Sequence, residues 1–321
     1  MAQAGTGSKL KTKVIFNPAA NKGRCGKTWP AIKERLEAVL GPLDVAATTA
    51  RGAGTALARD AFASGCRRFV SVGGDGTLNE IVNGLVFDDR LLDPQIVFAQ
   101  IPAGTSNATA QAMGHGGLGA SADAAFAALA GDAARPMDLY RADSHAADGS
   151  SLYRYGFLVA TLGAPATIGL RAGAMPLLKR LGPLAYVLTA LATALTYRPR
   201  EVLMRIDGHA VRKDLMWGAM ICSIEGAGEG IVLAPGALVD DGQLDLVAMG
   251  NLTRREALTE IIPKLADGSY SRHAKVVRSL LKDIHIETQE PIPVDVDGEF
   301  VGFSPLRVRV VPEKLRMAVA G

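Results

Sequence analysis

The chain has 321 residues, 48% hydrophobic and 21% charged, with a formal net charge of +3. That length is more than one hydrophobic core usually serves, so two domains are expected. Both charge signs are spread along the chain with no basic run, which argues against a nucleic-acid arm. Cys25, Cys66 and Cys222 are odd in number and far apart, which argues against a disulfide framework or zinc site and for a reducing, cytoplasmic setting.

The opening "MAQAGTGSKLKTK" lacks the apolar stretch of a signal peptide and reads as a short lead-in. Strand and helix patterns then alternate in the manner of a parallel α/β sheet. "KTKVIFN" is a strand before the helical "TWPAIKERLEAVLG"; "LDVAATT" precedes the helix "GTALARDAFASG"; "RRFVSV" leads through "GGDG" into "TLNEIVNGLV". "QIVFAQI" runs through "PAGTSN" into "ATAQAMG", and the Ala-rich "GASADAAFAALAGD" closes this part. From about residue 139 the pattern becomes β-rich, with "ADSHAADGSS" as a hairpin tip. Strands are expected in "LYRYGFLVATLG", "REVLMRIDG", "DLMWGAMICSI", "IVLAPGALVDDGQLDLVAMG", "DIHIET" and "LRVRVVP". Helices are expected near 176–197 and 253–267, the second opening on a capping-box spacing at Thr253 and Glu256. The uncharged stretch Leu181 to Tyr197 lies between Lys179, Arg180, Arg198 and Arg200. It is short for a span and interrupted by Gly182 and Pro183, so it reads as a buried or interfacial helix.

Three small, polar, Gly-bearing loops follow parallel-type strands, and such loops line one sheet edge, where open α/β sheets bind ligands. "FNPAANKGRCGKT" contains an incomplete phosphate-loop pattern, with Asn21 where the first Gly belongs; Asn17, Lys22, Gly23, Arg24 and Lys27 suit an anion site. In "SVGGDGTLNE", Gly73, Gly74 and Gly76 permit close backbone approach at a helix start, but Asn79 stands where the dinucleotide fingerprint needs a third glycine. Asp75 there would repel phosphate unless it binds magnesium, contacts a hydroxyl or serves as a cap. "IPAGTSNATAQ" offers Gly104, Thr105, Ser106 and Asn107 as donors or as an ordinary helix cap. Together the three loops argue for a nucleotide. Near the end, "PIPVDVDGEFVGF" permits two readings: a hairpin turn at Asp297-Gly298, or a carboxylate pair, Asp297 and Glu299, with Asp295 beside it. The five histidines, His115, His145, His209, His273 and His285, show no metal-ligand spacing.

"FNPAANKGR", "VGGDGTLNEIVNGL", "IPAGTSN", "LAPGALVDDGQLDLV" and "VDVDGEF", in that order, resemble the diacylglycerol kinase catalytic family, in particular its soluble bacterial lipid kinases. These are related to sphingosine and ceramide kinases and more distantly to NAD kinases. The resemblance implies a Rossmann-like α/β nucleotide-binding domain over 1–138 and an antiparallel β-sandwich lipid and metal domain over 139–304, with 305–321 returning to the first. It implies ATP at Asn17, Pro18, Ala19, Ala20, Asn21, Thr48 (or Thr49), Gly73, Gly74, Asp75, Gly76, Thr77, Leu78, Asn79 and Thr105. It implies Mg2+ on the Asp241 side chain and the carbonyls of Leu238 and Gln243; a plain turn at Asp240-Asp241-Gly242 is the alternative. Glu299 and Asp297 become catalytic, taking the proton of a lipid hydroxyl. Diacylglycerol is the first-choice acceptor, with ceramide, sphingosine or another lipid alcohol as the rival; an NAD kinase or a non-catalytic nucleotide sensor is more remote. The expected partner is a lipid at a membrane surface, through peripheral contact, with a homodimer as a further option. Two positions depart from the family pattern: Ala108 follows Asn107 where Asp is common, and "SIEGAGEGI" lacks the usual Asn.

Overall fold

The computed structural model describes residues 10–115, 122–174, 183–228 and 230–320. Four parallel strands lie side by side in the order Asp44–Ala47, Thr12–Phe16, Arg68–Gly73, Val97–Pro102. The inner strands are covered on both faces, and all six residues of Arg68–Gly73 are buried, whereas the edge strand Asp44–Ala47 is exposed at both ends. On one face Ile15, Phe69 and Phe98 pack with Ala58, Leu78 and Ile81 of helices Ala53–Ala63 and Asp75–Leu85. On the other, Val14, Val70 and Ala99 pack with Leu36 and Phe126 of helices Arg24–Leu40 and Asp123–Ala130. The strand order reverses between Thr12–Phe16 and Arg68–Gly73. The crevice at their carboxyl ends is therefore the ligand position of this architecture.

The second part is two antiparallel layers. One runs Val276–Leu281, Leu244–Met249, Gly218–Cys222, Val159–Gly163, Pro293–Val296; the other pairs His209–Met216, Arg200–Ile206 and Asp283–Thr288. Alternation divides each strand between two environments. Ala219 and Ile221 point into the core between the layers with Val202, Leu246 and Ile286, while Met220 and Cys222 join an outer cluster with Trp217 and Met249. Helices Ala164–Ala174 and Pro183–Thr196 lie over that outer side.

One 20-residue strand, Glu299–Ala318, links the two parts. It pairs with Pro293–Val296 at its start and with Ala134–His145 along most of its length, and at Met317 it joins Phe98 of the parallel sheet.

The hairpin tip after His145 is as expected, and the Thr253–Glu256 capping box is complete, with Glu256 accepting from Thr253 and Lys275. Other expectations need correction. "LYRYGFLVATLG" is two strands, Ser151–Gly156 and Val159–Gly163, separated by a corner at Phe157-Leu158. "IVLAPGALVDDGQLDLVAMG" is strand only at Ile231–Val232 and Leu244–Met249, because its Pro, Gly and Asp-Asp-Gly residues form loop. Helix Ala164–Ala174 and strand Val276–Leu281 were not foreseen. Of the apolar stretch beginning at Leu181, the structure describes Pro183 onward; Leu181 and Gly182 lie outside the described residues.

Candidate active site

Two cavities share a wall built from three loops. The first is polar, about 390 Å³, at the carboxyl ends of the parallel strands. Asn17, Ala19, Ala20, Asn21, Thr48, Thr49, Arg51, Gly74, Gly76, Thr77, Thr105 and Glu299 are among the residues that line it. The second is apolar, about 260 Å³, enclosed by Leu158, Val159, Trp217, Met220, Ile224 and Leu265, with Asp75, Ser106, Asp295, Asp297 and Gly298 on one side. Successive residues of each loop face opposite cavities. Gly74 and Gly76 face the polar one and Asp75 the apolar one; Thr105 and Ser106 divide likewise, as do Glu299 and Gly298.

The polar cavity is prepared for an anion. Helix Asp75–Leu85 begins at Gly74 with no side-chain cap, so its first N–H groups are available, and the helix dipole favours negative charge there. A Cβ on Gly104 would collide with the Gly74 backbone, so the second and third loops touch because residue 104 is glycine. Asn17 accepts from the Ala19 N–H (3.0 Å) and holds its own loop, while Asn21, Lys22 and Gly23 all take positive φ to turn the chain into helix Arg24–Leu40.

Asp75 is a cap. Its carboxylate accepts from the Ala108 N–H, the Thr109 N–H and the Thr109 hydroxyl (3.0, 3.0 and 2.8 Å), tying the second loop to the start of helix Ala108–Ala112. Pro18 and Gly73 do not line the polar cavity, and two other residues expected at the nucleotide stand clearly apart from it. Leu78 is fully buried in the hydrophobic core, since its helix must cover the sheet. Asn79 is also fully buried; it donates to Tyr155 O and Asp297 and accepts from Arg154 Nε.

The Asp297-Gly298 hairpin is real. Val296 pairs with Glu299, and both turn residues have positive φ (52° and 84°), as a two-residue type I′ turn requires. The turn separates three carboxyls that an extended strand would have placed on one face. Asp297 is buried, and its two oxygens accept from the Tyr140 hydroxyl, Asn79 Nδ2 and the N–H groups of Phe157, Leu158 and Val159, all within 2.8–3.0 Å. Desolvation raises the Asp297 carboxyl above its usual range, and those hydrogen bonds oppose the rise. Asp295 is buried beside the apolar cavity, and desolvation pushes it up to about 7. Glu299 turns to the polar cavity, where it pairs with Arg51 and lies beside Gly76.

Family models now bear on this geometry. Residues 11–142 match the "Diacylglycerol kinase catalytic domain", and residues 159–319 match the "YegS C-terminal NAD kinase beta sandwich-like domain". A "probable lipid kinase YegS-like" protein of Stenotrophomonas maltophilia is 30% identical over 86% of each chain. The chain belongs to the diacylglycerol kinase family of lipid kinases. This lipid kinase is also 24% identical to a diacylglycerol kinase of Bacillus subtilis over 92% of its own length and 91% of that protein's. A solved structure titled as a diacylglycerol kinase from Bacillus anthracis str. Sterne has the same fold, with a TM-score of 0.68, 23% identity and coverage of 97% and 98%.

The loop expected to hold magnesium lies apart from both cavities' shared wall. Asp241 is exposed, and its Oδ1 accepts from the Gln243 N–H (2.9 Å), leaving Oδ2 without a hydrogen bond among the described residues. Leu238 is exposed as well. The loop is fastened by Asp138, which accepts from Gly242 N–H (2.7 Å), and by Lys314, which donates to the Asp240 carbonyl (2.7 Å). Among the described residues no group of three or more His, Cys, Asp and Glu side chains could hold a metal, so any ion there depends on Asp241 Oδ2, carbonyls and water. That hard-oxygen set fits a largely hydrated magnesium ion.

Arg51, Glu80 and Arg154 were missed in the sequence. Glu80 accepts from the Gly52 and Gly54 N–H groups (2.7 and 2.9 Å), capping helix Ala53–Ala63 at the cavity edge. Arg154, from the other domain, reaches Asn79 (2.8 Å), and its burial lowers its pKa. Glu80 closes the "GGDGTLNE" motif, but its role as a cap is set by the fold; Arg51 and Arg154 sit in no motif and reach the site only through the fold.

Proposed function

We propose that this lipid kinase transfers the γ-phosphate of ATP to the hydroxyl of diacylglycerol. The observation that carries the reading is the shared wall: a polar, anion-ready cavity and an apolar cavity meet on either side of Gly74–Gly76, Thr105-Ser106 and Gly298-Glu299. Triphosphate fits the first and an acyl lipid the second, so the hydroxyl and the γ-phosphorus meet across the wall. Glu299 stands on the phosphate side with an ionisable oxygen and acts as proton acceptor. As the lipid oxygen bonds to the γ-phosphorus, its proton passes to Glu299 and the bond to the bridging oxygen of ADP breaks. Asp297, with its acceptor positions filled, holds the turn that aims Glu299. Magnesium bound with ATP would offset charge on the phosphate oxygens. A second ion on Asp241 would brace the Asp240–Gln243 loop, so Asp241→Ala, which also loses the Gln243 bond, should reduce the rise in melting temperature that magnesium produces over chelator. Equal magnesium responses in the two proteins would refute that brace.

The acceptor must be collected from a bilayer. Among the described residues no helix is long and apolar enough to cross a membrane. Helix Pro183–Thr196 exposes Val187, Leu188, Leu191 and Leu195, spaced along one face. This stripe is suited to rest on lipid. Exchanging Leu191 and Leu195 together for Glu should cut turnover of vesicle-embedded lipid severalfold and leave a dispersed short-chain lipid little affected. An equal effect on both substrates would return the stripe to an ordinary surface.

The reading itself is tested with γ-labelled ATP, magnesium and mixed micelles of diacylglycerol, ceramide, sphingosine and a monoacylglycerol, with chromatography of the lipid fraction. Labelled phosphatidic acid is the expected product. Label only in another lipid would replace the acceptor; label in NADP alone, with NAD added, would overturn the assignment.

A further inference from the structure

We propose that Asp295 is a specificity-determining residue: as a neutral carboxylic acid, its Oδ2–H donates a hydrogen bond to an acyl carbonyl, ester or amide, of the lipid in the apolar cavity. This rests on the reading of that cavity as the acceptor site. Of the three acidic residues on the cavity wall, Asp75 and Asp297 have both oxygens engaged by protein donors. Asp295 accepts one bond, from the Gly298 N–H to Oδ1 (2.9 Å), and Oδ2 has no partner among the described residues. It stands where the pairing of strands Pro293–Val296 and Glu299–Ala318 shifts register between Val294 and Asp295, an irregularity of the kind that re-aims a side chain beside a site. Helix Ala164–Ala174 covers it with Gly169, where a Cβ would lie 3.5 Å from Oδ2, so the helix brings no side chain or hydrogen-bond donor to this oxygen at that point.

The charged groups facing Asp295 are Asp297 on its own turn, Arg154 from strand Ser151–Gly156, and Arg51 from the loop before helix Ala53–Ala63. Strand Val159–Gly163 offers it Thr161, which does not titrate near neutrality, and Arg171 of the covering helix bonds Thr193 and Thr196 instead. Burial is the largest influence and favours the uncharged acid up to a pH of about 7. A buried acid with a free O–H seeks an acceptor. Once the lipid hydroxyl is at the phosphate, the polar atoms a diacyl lipid leaves in the cavity are carbonyl oxygens.

The test compares kcat/KM for diacylglycerol and its dialkyl ether, which lacks carbonyls, and for ceramide and its N-alkyl counterpart, at pH 6 and pH 8.5. The unmodified kinase should favour the acyl form about 2- to 10-fold at pH 6, the range of one hydrogen bond, and lose most of that preference at pH 8.5. Asp295→Asn, whose N–H₂ donates at either pH, should keep the preference at both. Asp295→Leu should abolish it. The pair that shows the effect separates ester from amide. Stability gives a readout independent of turnover. The carboxyl keeps its proton to about pH 7 in the fold but only to about pH 4 in the unfolded chain, so stability falls across that interval and the melting-temperature advantage of Asp295→Asn should widen between pH 4 and 7. Equal acyl preference in the unmodified kinase and Asp295→Leu, with turnover intact, would overturn the proposal alone. Failure to phosphorylate any lipid of the panel would overturn the acceptor-site reading and the proposal with it.

Discussion

Glu299→Gln is expected to lower turnover roughly 10²–10⁴-fold, the range for a positioned proton acceptor, while ATP affinity stays close to that of the unmodified kinase. The substitution keeps the side chain's length and removes its basicity. Glu299 borders the polar cavity at its junction with the apolar one, so the loss should appear in kcat rather than in nucleotide binding. Its pairing with Arg51 does not alter the expectation, because Arg51 is largely exposed and free to turn to phosphate oxygens. Single-turnover transfer to diacylglycerol, beside a fluorescent-nucleotide titration, separates the two quantities. Turnover within threefold of normal would remove Glu299 from catalysis and leave it as a surface partner of Arg51.

Asp297→Asn should fail differently. It is the second carboxylate of the pair, but its surroundings are those of a structural centre. Five donors converge on it from helix Asp75–Leu85, strand Ala134–His145 and the corner at Phe157–Val159. An amide would turn an N–H₂ toward groups that are themselves donors, leaving buried N–H groups unpaired. A cost of about 3 kcal/mol is expected, because each such orphaned group carries a penalty of that order. Activity would fall with it, since the same bonds hold the β-domain corner against the nucleotide domain and aim the turn before Glu299. Urea unfolding followed by far-ultraviolet circular dichroism measures the stability loss. A variant as stable as the parent would refute the hub. Stability lost with kcat per folded molecule preserved would restrict Asp297 to folding alone.

The two acids could not be told apart in the sequence. "VDVDGEF" displays three carboxyls at even spacing, and their separation depends on which element closes over each: helix Ala164–Ala174 and the apolar cavity at Asp295, the Phe157–Val159 corner at Asp297, and the glycine loops at Glu299. Asp75 posed a similar question. In the sequence it is an acid in a phosphate loop; in the fold it caps a helix beginning more than thirty residues later. Leu78 and Asn79 belong to the same motif, yet helical periodicity turns both inward, away from the polar cavity.

The amino-acid order alone determined what is local. Alternating strand and helix patterns established the parallel sheet, glycines after strands marked the crevice, and Asp-Gly between alternating apolar residues specified the hairpin, because backbone sterics and periodicity act within a few residues. Tertiary structure decided the rest. It joined both domains through the strand Glu299–Ala318, brought Arg51 and Arg154 to the site without a motif, and sorted three similar carboxyls into one facing the polar cavity, one hydrogen-bonded hub and one buried beside the apolar cavity. The physical reason is that the character of a carboxyl depends on the solvent it loses and the donors it gains. Here those come from segments as many as 218 residues away.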